Sequence, residues 1–333
     1  MSNDVARPGT ASELPTARKY PVSAGAAFGV VLGLTTTVPA AVGVWLTWRV
    51  FVATSAGQRV DQAVFEGARF GSNRLWQVAG PVLDVISVPS VAVVLVAAVL
   101  IAVVRRRWGL ALQVALLVGG ANLTTQLLKN FVLERPDLGA TSVFSNTLPS
   151  GHTTAAASVS AALVFVLPPR ARPWAAVFGA VFTAATGVST LVGRWHRPSD
   201  VVAAVLVVLA WSGLACALAA VSLPWAADGT PTAVTGELVR PDRSLEPSRD
   251  RSAQPRRGAS ATAVGVGLLA LAGLVAALPA GISMNASWTT PGVLSTRAEL
   301  LVAYAGGAFG VVAVSCLAFA VLLAVRHAAG RTV

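Results

Sequence analysis

Charge is scarce in this sequence of 333 residues, because only 12% of them are charged whereas 55% are hydrophobic. A soluble globular domain carries about 25% charged residues, so that class is excluded. The hydrophobic residues also form uninterrupted runs of about twenty, which is the length that crosses a bilayer as a helix. The sequence therefore predicts an all-α fold, a polytopic bundle of membrane helices.

Cysteine, acidic residues and lysine are also few, and each shortage has a consequence. The two cysteines, Cys216 and Cys316, lie in separate apolar runs, which excludes a disulfide framework and a cysteine metal site. The 14 acidic residues are too scattered to predict a metal site, so no metal and no other cofactor is expected. Only two lysines occur, and Lys129 is notable because it stands at the end of an apolar run.

The net charge of +11 does not indicate a nucleic-acid partner, because the basic residues lie mostly in short loops between apolar runs. With the N-terminus inside and eight spans, sixteen of the 25 basic residues lie on the inner side. Loops on the cytoplasmic side carry such an excess. We therefore expect a bacterial cytoplasmic membrane protein with both termini in the cytoplasm.

The apolar runs divide the chain into five parts. We predict a disordered cytoplasmic N-terminus, a transmembrane core, a flexible basic linker, two additional transmembrane helices and a cytoplasmic tail, at 1–22, 23–225, 226–258, 259–325 and 326–333. The eight spans are predicted at about 24–47, 81–104, 109–128, 152–168, 174–193, 199–225, 259–282 and 299–325. After the first span, Val60, Val64 and Phe65 alternate with charged residues, which predicts a short amphipathic helix at the membrane surface.

Three polar strings interrupt this pattern: Lys129-Asn-Phe-Val-Leu-Glu-Arg-Pro136, Leu148-Pro-Ser-Gly-His-Thr-Thr154 and Gly193-Arg-Trp-His-Arg-Pro-Ser-Asp200. They lie in different loops, yet the alternation of spans places all three on the outer side of the membrane. Two of the three histidines of the chain lie in them. A single polar site on the outer face is therefore predicted.

The second and third strings have residues suited to phosphate transfer. Ser150 precedes an apolar run as a helix N-cap does, and Gly151 allows close approach to backbone N–H groups that attract an anion. His152 lies in the first turn of the same helix. His196 and Asp200 are four residues apart, so the carboxylate can bond one ring nitrogen and leave the other as a nucleophile or base.

The first string supplies cations. Lys129 ends a span, and Arg135 is held in an extended conformation by Pro136. Charge-assisted contacts contribute about 1.5–3 kcal/mol each, so a few of them hold a dianion. A lysine at a span end can also simply extend to the surface, and a Ser-Gly cap can carry a chance histidine. The combination of the three strings is what favours a phosphate site.

Taken together, the strings resemble the three signatures of the type-2 phosphatidic acid phosphatase superfamily, which includes membrane lipid phosphatases, glucose-6-phosphatase and vanadium haloperoxidases. The resemblance covers about residues 60–225. It implies that His196 attacks phosphorus to form a phosphohistidine and that Asp200 orients it. It also implies that His152 protonates the leaving oxygen and later activates water.

The resemblance further implies that the phosphoryl oxygens are held without a metal by Lys129, Arg135, Ser150 and the backbone of Gly151. One signature arginine is absent, because Thr190 stands where the family has it. If the preceding helix continues, Arg194 lies one turn above Thr190 and can replace it. Arg197 is the second candidate, and in a third interpretation both arginines contact lipid headgroups only.

The function predicted from the sequence is an integral-membrane phosphatase for a phospholipid or polyprenyl phosphate substrate, such as phosphatidic acid, phosphatidylglycerol phosphate or a polyprenyl diphosphate. Two alternatives stay open: a phosphotransferase that uses an acceptor other than water, and a catalytically impaired scaffold that binds lipid phosphate. Transport is less favoured, because no paired charges lie in the middle of a span. The sequence leaves the oligomeric state open.

Overall fold

The computed structural model describes residues 24–85, 96, 100, 108–139, 146–227, 254–290 and 292–329. All regular structure in these residues is helical, and no strand occurs in them. The predicted all-α membrane bundle is thereby confirmed.

Nine helices follow one another in the described residues: α1 (Ala24–Thr47), α2 (Ser55–Gly67), α3 (Ser72–Val85), α4 (Trp108–Leu127), α5 (Gly151–Val166), α6 (Arg172–Val192), α7 (Pro198–Ala227), α8 (Gln254–Thr289) and α9 (Arg297–Ala329). A π-helical turn extends α1 through Trp48–Val52, and another extends α4 through Leu128–Val132.

Six of these helices, α1, α4, α6, α7, α8 and α9, are long and apolar enough to cross a membrane. They correspond to six of the eight predicted spans. The helix α5 corresponds to a seventh span and is apolar, but it has only 16 residues. The predicted span at 81–104 begins within α3 and otherwise lies outside the described residues, apart from the helical residues 96 and 100. The predicted N-terminal segment and most of the predicted linker also lie outside them.

Small residues bring α1 and α7 into close contact along their length. A Cβ atom on Gly33 would lie 2.6 Å from the carbonyl oxygen of Gly213, and a Cβ atom on Gly213 would lie equally close to the carbonyl oxygen of Gly33. In the same interface, the Thr37 hydroxyl donates to the Ala210 carbonyl over 3.0 Å. Because any side chain at either glycine would collide with backbone, the two helices depend on both glycines for this approach.

The C-terminal pair α8 and α9 packs against the rest of the bundle, where α9 contacts α2, α6 and α7. A Cβ atom on Gly307 of α9 would lie 2.7 Å from Val64 of α2 and 2.8 Å from Pro198 of α7. The helix α2 is amphipathic, as predicted, but α9 covers its apolar face. The position of α2 at the membrane surface stays a prediction, and its contact with α9 places it beside the start of α7.

Candidate active site

Hydrogen bonds between loops bring the three polar strings together at one end of the bundle. The Ser150 N–H donates to the Asp200 carbonyl over 2.9 Å, and the Thr147 hydroxyl donates to the Asp200 carboxylate over 2.7 Å. The side-chain amide of Asn146 donates to the Lys129 carbonyl over 3.2 Å. These bonds join the end of α4 and the starts of α5 and α7, and sequence reasoning assigned no role to Asn146 or Thr147.

His196 lies in the loop between α6 and α7 and is 7% exposed. Its backbone N–H and that of Trp195 donate to the Thr190 carbonyl near the end of α6, over 3.4 and 3.0 Å. Its Nδ1 lies 3.1 Å from the carboxylate of Asp200, which is fully buried in the first turn of α7 and also accepts the Arg197 N–H over 2.9 Å. A carboxylate at Nδ1 favours the tautomer whose free electron pair is on Nε2. This geometry suits Nε2 to act as a nucleophile or base.

Ser150 is the N-cap of α5, as its position before the apolar run predicts, and its Oγ accepts the Thr153 N–H over 3.4 Å. A Cβ atom on Gly151 would meet only the side-chain nitrogen of Gln126, at 4.0 Å. The backbone at the start of α5 is therefore open on that side. An open helix N-terminus presents N–H groups and a positive dipole to an anion.

His152 is half-buried in the first turn of α5, and its ring centre lies 5.4 Å from that of Trp195. Trp195 in turn lies edge-on to Trp76, with ring centres 5.6 Å apart. His196 and Lys129 both interact electrostatically with the His152 ring. The imidazole of His152 therefore lies within electrostatic range of both the second histidine and the lysine of the site.

Arg135 is the buried cation of the first string and is 6% exposed. Its nearest carboxylate oxygen belongs to Asp61 and lies 3.9 Å away, which is longer than a hydrogen bond. Nε, Nη1 and Nη2 have no hydrogen-bond partner in the described part of the chain. A buried guanidinium whose donors are unused is costly, and an anion that accepts those hydrogens would remove the cost. Lys129, in the π-helical turn that ends α4, is half-buried.

The predicted placement of Arg194 one helical turn above Thr190 is wrong. The helix α6 ends at Val192, and Arg194 adopts a left-handed backbone conformation with a φ of 55°. Its side chain is exposed, and its guanidinium carbon lies 4.8 Å from the centre of the Phe65 ring. Arg197 is only 2% exposed, with its guanidinium carbon 5.1 Å from the same ring. Of the two candidates for the absent arginine, only Arg197 is buried within the site.

The helix α2 contributes two polar residues that sequence reasoning did not assign to the site. Asp61 is 2% exposed, and its carboxylate accepts the hydroxyl of Ser199 over 2.6 Å and the Ser199 N–H over 3.3 Å. The Gln62 carbonyl oxygen accepts Nη2 of Arg197 over 2.9 Å and Nε over 3.3 Å. The helix α2 therefore contacts the start of α7 and one of the buried arginines.

Burial and the charge of Asp200 raise the pKa of Asp61 to about 6, although the Ser199 hydrogen bond and the charges of Arg135 and Arg197 act in the opposite direction. A sequence signal for this residue exists. Asp61 directly follows Val60 and precedes Val64 by three residues, which places a carboxylate on the buried stripe of α2. Buried carboxylates are rare unless paired, so such a position indicates a nearby cation.

Residues 108–224 match a family model described as the PAP2 superfamily. The matched segment contains α4, α5, α6 and most of α7, and with them all three polar strings. The helices α1, α2, α3, α8 and α9 lie outside it. Neither a curated protein nor a solved structure matches the chain. The match confirms the resemblance predicted from the three strings, and with the six membrane-length helices it identifies an integral membrane protein.

Proposed function

We propose that this chain, whose residues 108–224 carry the PAP2 superfamily match, is a membrane phosphatase that hydrolyses a lipid phosphomonoester or diphosphate through a phosphohistidine at His196. The family match supports a phosphatase for lipid phosphates in a membrane, and the geometry supports the finer assignment. The carrying observation is the pairing of His196 Nδ1 with the buried Asp200, at a site that also contains Arg135, a buried guanidinium with unused donors.

The first half of the proposed reaction transfers the phosphoryl group to the enzyme. Nε2 of His196 attacks phosphorus as the bond from phosphorus to the lipid oxygen breaks. Asp200 stabilises the positive charge that develops on the ring, because its carboxylate stays bonded to Nδ1. His152 donates a proton to the leaving oxygen, and the lipid alcohol or lipid monophosphate departs.

The second half returns the enzyme to its starting state. His152, which has lost its proton, accepts one from a water molecule as that water attacks the phosphorus of the phosphohistidine. The bond from phosphorus to Nε2 breaks, and inorganic phosphate is released. The proton that His152 gains restores it as the acid for the next cycle.

The phosphoryl oxygens are held by cations and by the start of α5. Lys129 and Arg135 supply charge, while Ser150 and the N–H of Gly151 supply the helix N-terminus. Arg197 takes the place of the arginine that is absent at Thr190, and this revises the earlier preference for Arg194. Fixed donors of this kind stabilise the charge that develops on the transferred group without reorganisation.

A lipid substrate is supported by an apolar groove of about 360 Å³ beside the first string. Trp45 of α1 and Trp211 of α7 line it, together with Leu128 and Leu133. Leu128 precedes Lys129 directly and Leu133 precedes Arg135 by two residues, so hydrocarbon-binding and phosphate-binding residues alternate along this segment. Candidate substrates are phosphatidic acid, phosphatidylglycerol phosphate and polyprenyl diphosphates.

The distribution of basic residues supports the outer face of a bacterial cytoplasmic membrane as the place of reaction. In the predicted topology of eight spans, sixteen of the 25 basic residues lie on the side of the two termini, and four of the remaining nine belong to the polar strings themselves. In this orientation the site faces outward and both termini face the cytoplasm.

The test is phosphate release by the detergent-purified protein from the three candidate lipids, with EDTA present. We expect release by the wild type and none by His196→Ala. The matched control is His327→Ala, since His327 lies about 30 Å along α9 from Gly307, and this variant should keep full activity. A new phosphorylated product without free phosphate would replace the hydrolase by a phosphotransferase. Folded protein that acts on none of the lipids would favour a binding scaffold.

A further inference from the structure

Two buried arginines of the site share one buried carboxylate, that of Asp61. Arg135 lies 3.9 Å from it, and the charge of Arg197 also acts on it. The distance to Arg135 is too long for a hydrogen bond, so Asp61 balances positive charge without occupying any donor of the guanidinium. The donors of Arg135 therefore stay available to another anion.

We infer that Asp61 is a counter-anion built into the phosphate site, which balances Arg135 and Arg197 before substrate binds and takes up a proton when a phosphoryl dianion binds. The inference rests on the proposed function only in naming that dianion as the substrate's phosphoryl group. The step is a proton transfer from solvent to the Asp61 carboxylate, and no other bond changes.

Two hydrogen bonds hold the Asp61 carboxylate in place beside the arginines, so proton uptake is its direct response to an incoming anion. Ser199 holds it through both its hydroxyl and its N–H, at 2.6 and 3.3 Å. A Cβ atom on Gly307 of α9 would lie 2.7 Å from Val64 of α2, so α9 packs closely against the helix that carries Asp61. A fixed, buried carboxylate close to a bound dianion is repelled by it, and protonation removes the repulsion.

Three charged side chains face Asp61 from the described elements that pack around it. The loop after α4 contributes Arg135, the loop before α7 contributes Arg197, and α7 contributes Asp200. The cavity beside Asp61 is lined from α1, α8 and α9 by residues without titratable side chains: Thr47, Phe51, Ala280, Met284, Gly306, Gly307 and Gly310. Burial and Asp200 already bring the pKa of Asp61 to about 6, so a bound dianion needs to raise it only modestly to protonate it near neutral pH.

Sulfate is a suitable probe because it has the tetrahedral shape of phosphate and keeps two charges from about pH 5 to about pH 7.5, so its own titration adds nothing. Its dissociation constant would be measured with purified wild type and Asp61→Asn, both from competitive inhibition and from the shift in melting temperature. Chloride salts hold the ionic strength constant, because screening alone would otherwise weaken anion binding. Both proteins keep every other charged and titratable side chain of the site, so the ratio of the two constants isolates Asp61.

We expect the wild type and Asp61→Asn to bind sulfate equally well at about pH 5, where Asp61 is protonated in the wild type. At about pH 7.5 the wild type should bind about tenfold more weakly, which corresponds to a rise of about one unit in the pKa of Asp61 on anion binding. A ratio that stays at one at every pH would overturn the inference. Weaker binding by Asp61→Asn throughout would also overturn it, because Asp61 would then orient Arg135 rather than oppose the anion.

Ser199→Ala is the matched variant that keeps the charge of Asp61. The Ser199 hydrogen bond lowers the pKa of Asp61, so its loss should move the weakening of sulfate binding to higher pH without abolishing it. This variant also keeps the inference testable if Asp61→Asn does not fold. An unshifted pH dependence in Ser199→Ala would contradict the role of Asp61. Because the melting-temperature readout needs no turnover, a protein that binds sulfate in this way but releases no phosphate would refute the proposed phosphatase and leave this inference standing.

Discussion

Comparing Arg197→Ala with Arg194→Ala tests directly which of the two arginines replaces the absent one. The sequence favours Arg194 as the replacement, whereas the structure favours Arg197. Both arginines lie near the same ring, that of Phe65, and both follow the position where the family signature has its arginine. Only Arg197 is buried, and only Arg197 is held by Gln62. We expect its removal to be the costly one.

The magnitudes follow from what each side chain contacts. A charge-assisted contact between Arg197 and the phosphoryl group is worth about 1.5–3 kcal/mol, which is about 10- to 150-fold in kcat/KM. Arg194 is exposed, and its interaction with the Phe65 ring is worth about 0.5–1 kcal/mol. Even if that whole amount affected catalysis, Arg194→Ala would lose only about two- to fivefold in kcat/KM.

The assay is kcat/KM on one lipid phosphate in mixed micelles, with the melting temperature of each variant measured in the same detergent. Arg197→Lys serves as the conservative variant, because it keeps the positive charge but loses the planar fork of donors, and it should lie between wild type and Arg197→Ala. The reasoning is refuted if Arg194→Ala loses as much activity as Arg197→Ala, or if Arg197→Ala keeps wild-type kcat/KM while folded.

Three further predictions follow from single contacts. Asp200→Asn should lower kcat by about 10²–10⁴-fold with a smaller change in KM, because it misorients the His196 ring while the cations remain, and steady-state kinetics would show this. Gly33→Ala should destabilise the fold by about 1–3 kcal/mol in thermal unfolding because its Cβ would meet backbone of α7, whereas Gly267→Ala, where a Cβ meets nothing within 4 Å, should not. The folded-state pKa of Asp61 is about 6, above its ordinary value of 3.8. The free energy of unfolding of the wild type, measured relative to that of Asp61→Asn, should therefore be highest at low pH and fall as the pH rises from 3.8 to about 6. An unchanged stability difference across the window would contradict the last prediction.

The local features of the site could be predicted from the sequence because short-range physics determines them. A serine before an apolar run becomes an N-cap wherever the helix is placed, and Ser150 does so. The spacing of His196 and Asp200 allows contact within one turn of chain, and they are 3.1 Å apart. The apolar runs require helices in a membrane, because no other segment of chain satisfies its own backbone there.

The placement of the third cation could not be predicted in this way. The expectation for Arg194 assumed that α6 continues, but the chain leaves the helix after Val192 and Arg194 has a φ of 55°. Gly193 is the C-cap of α6, but the burial of Arg197 rather than Arg194 depends on the contact of Arg197 with Gln62 of α2, which no local pattern encodes.

The sequence by itself determined the fold class, the three polar strings and their common end of the bundle, because periodicity, span length and capping are local properties. Only the tertiary structure decided what buries Asp61 and which cations face it, since α9 covers α2 from about 240 residues further along the chain and no local pattern encodes that contact. Burial is what turns an ordinary carboxylate of an amphipathic helix into a group whose pKa is near 6, because desolvation disfavours its charge.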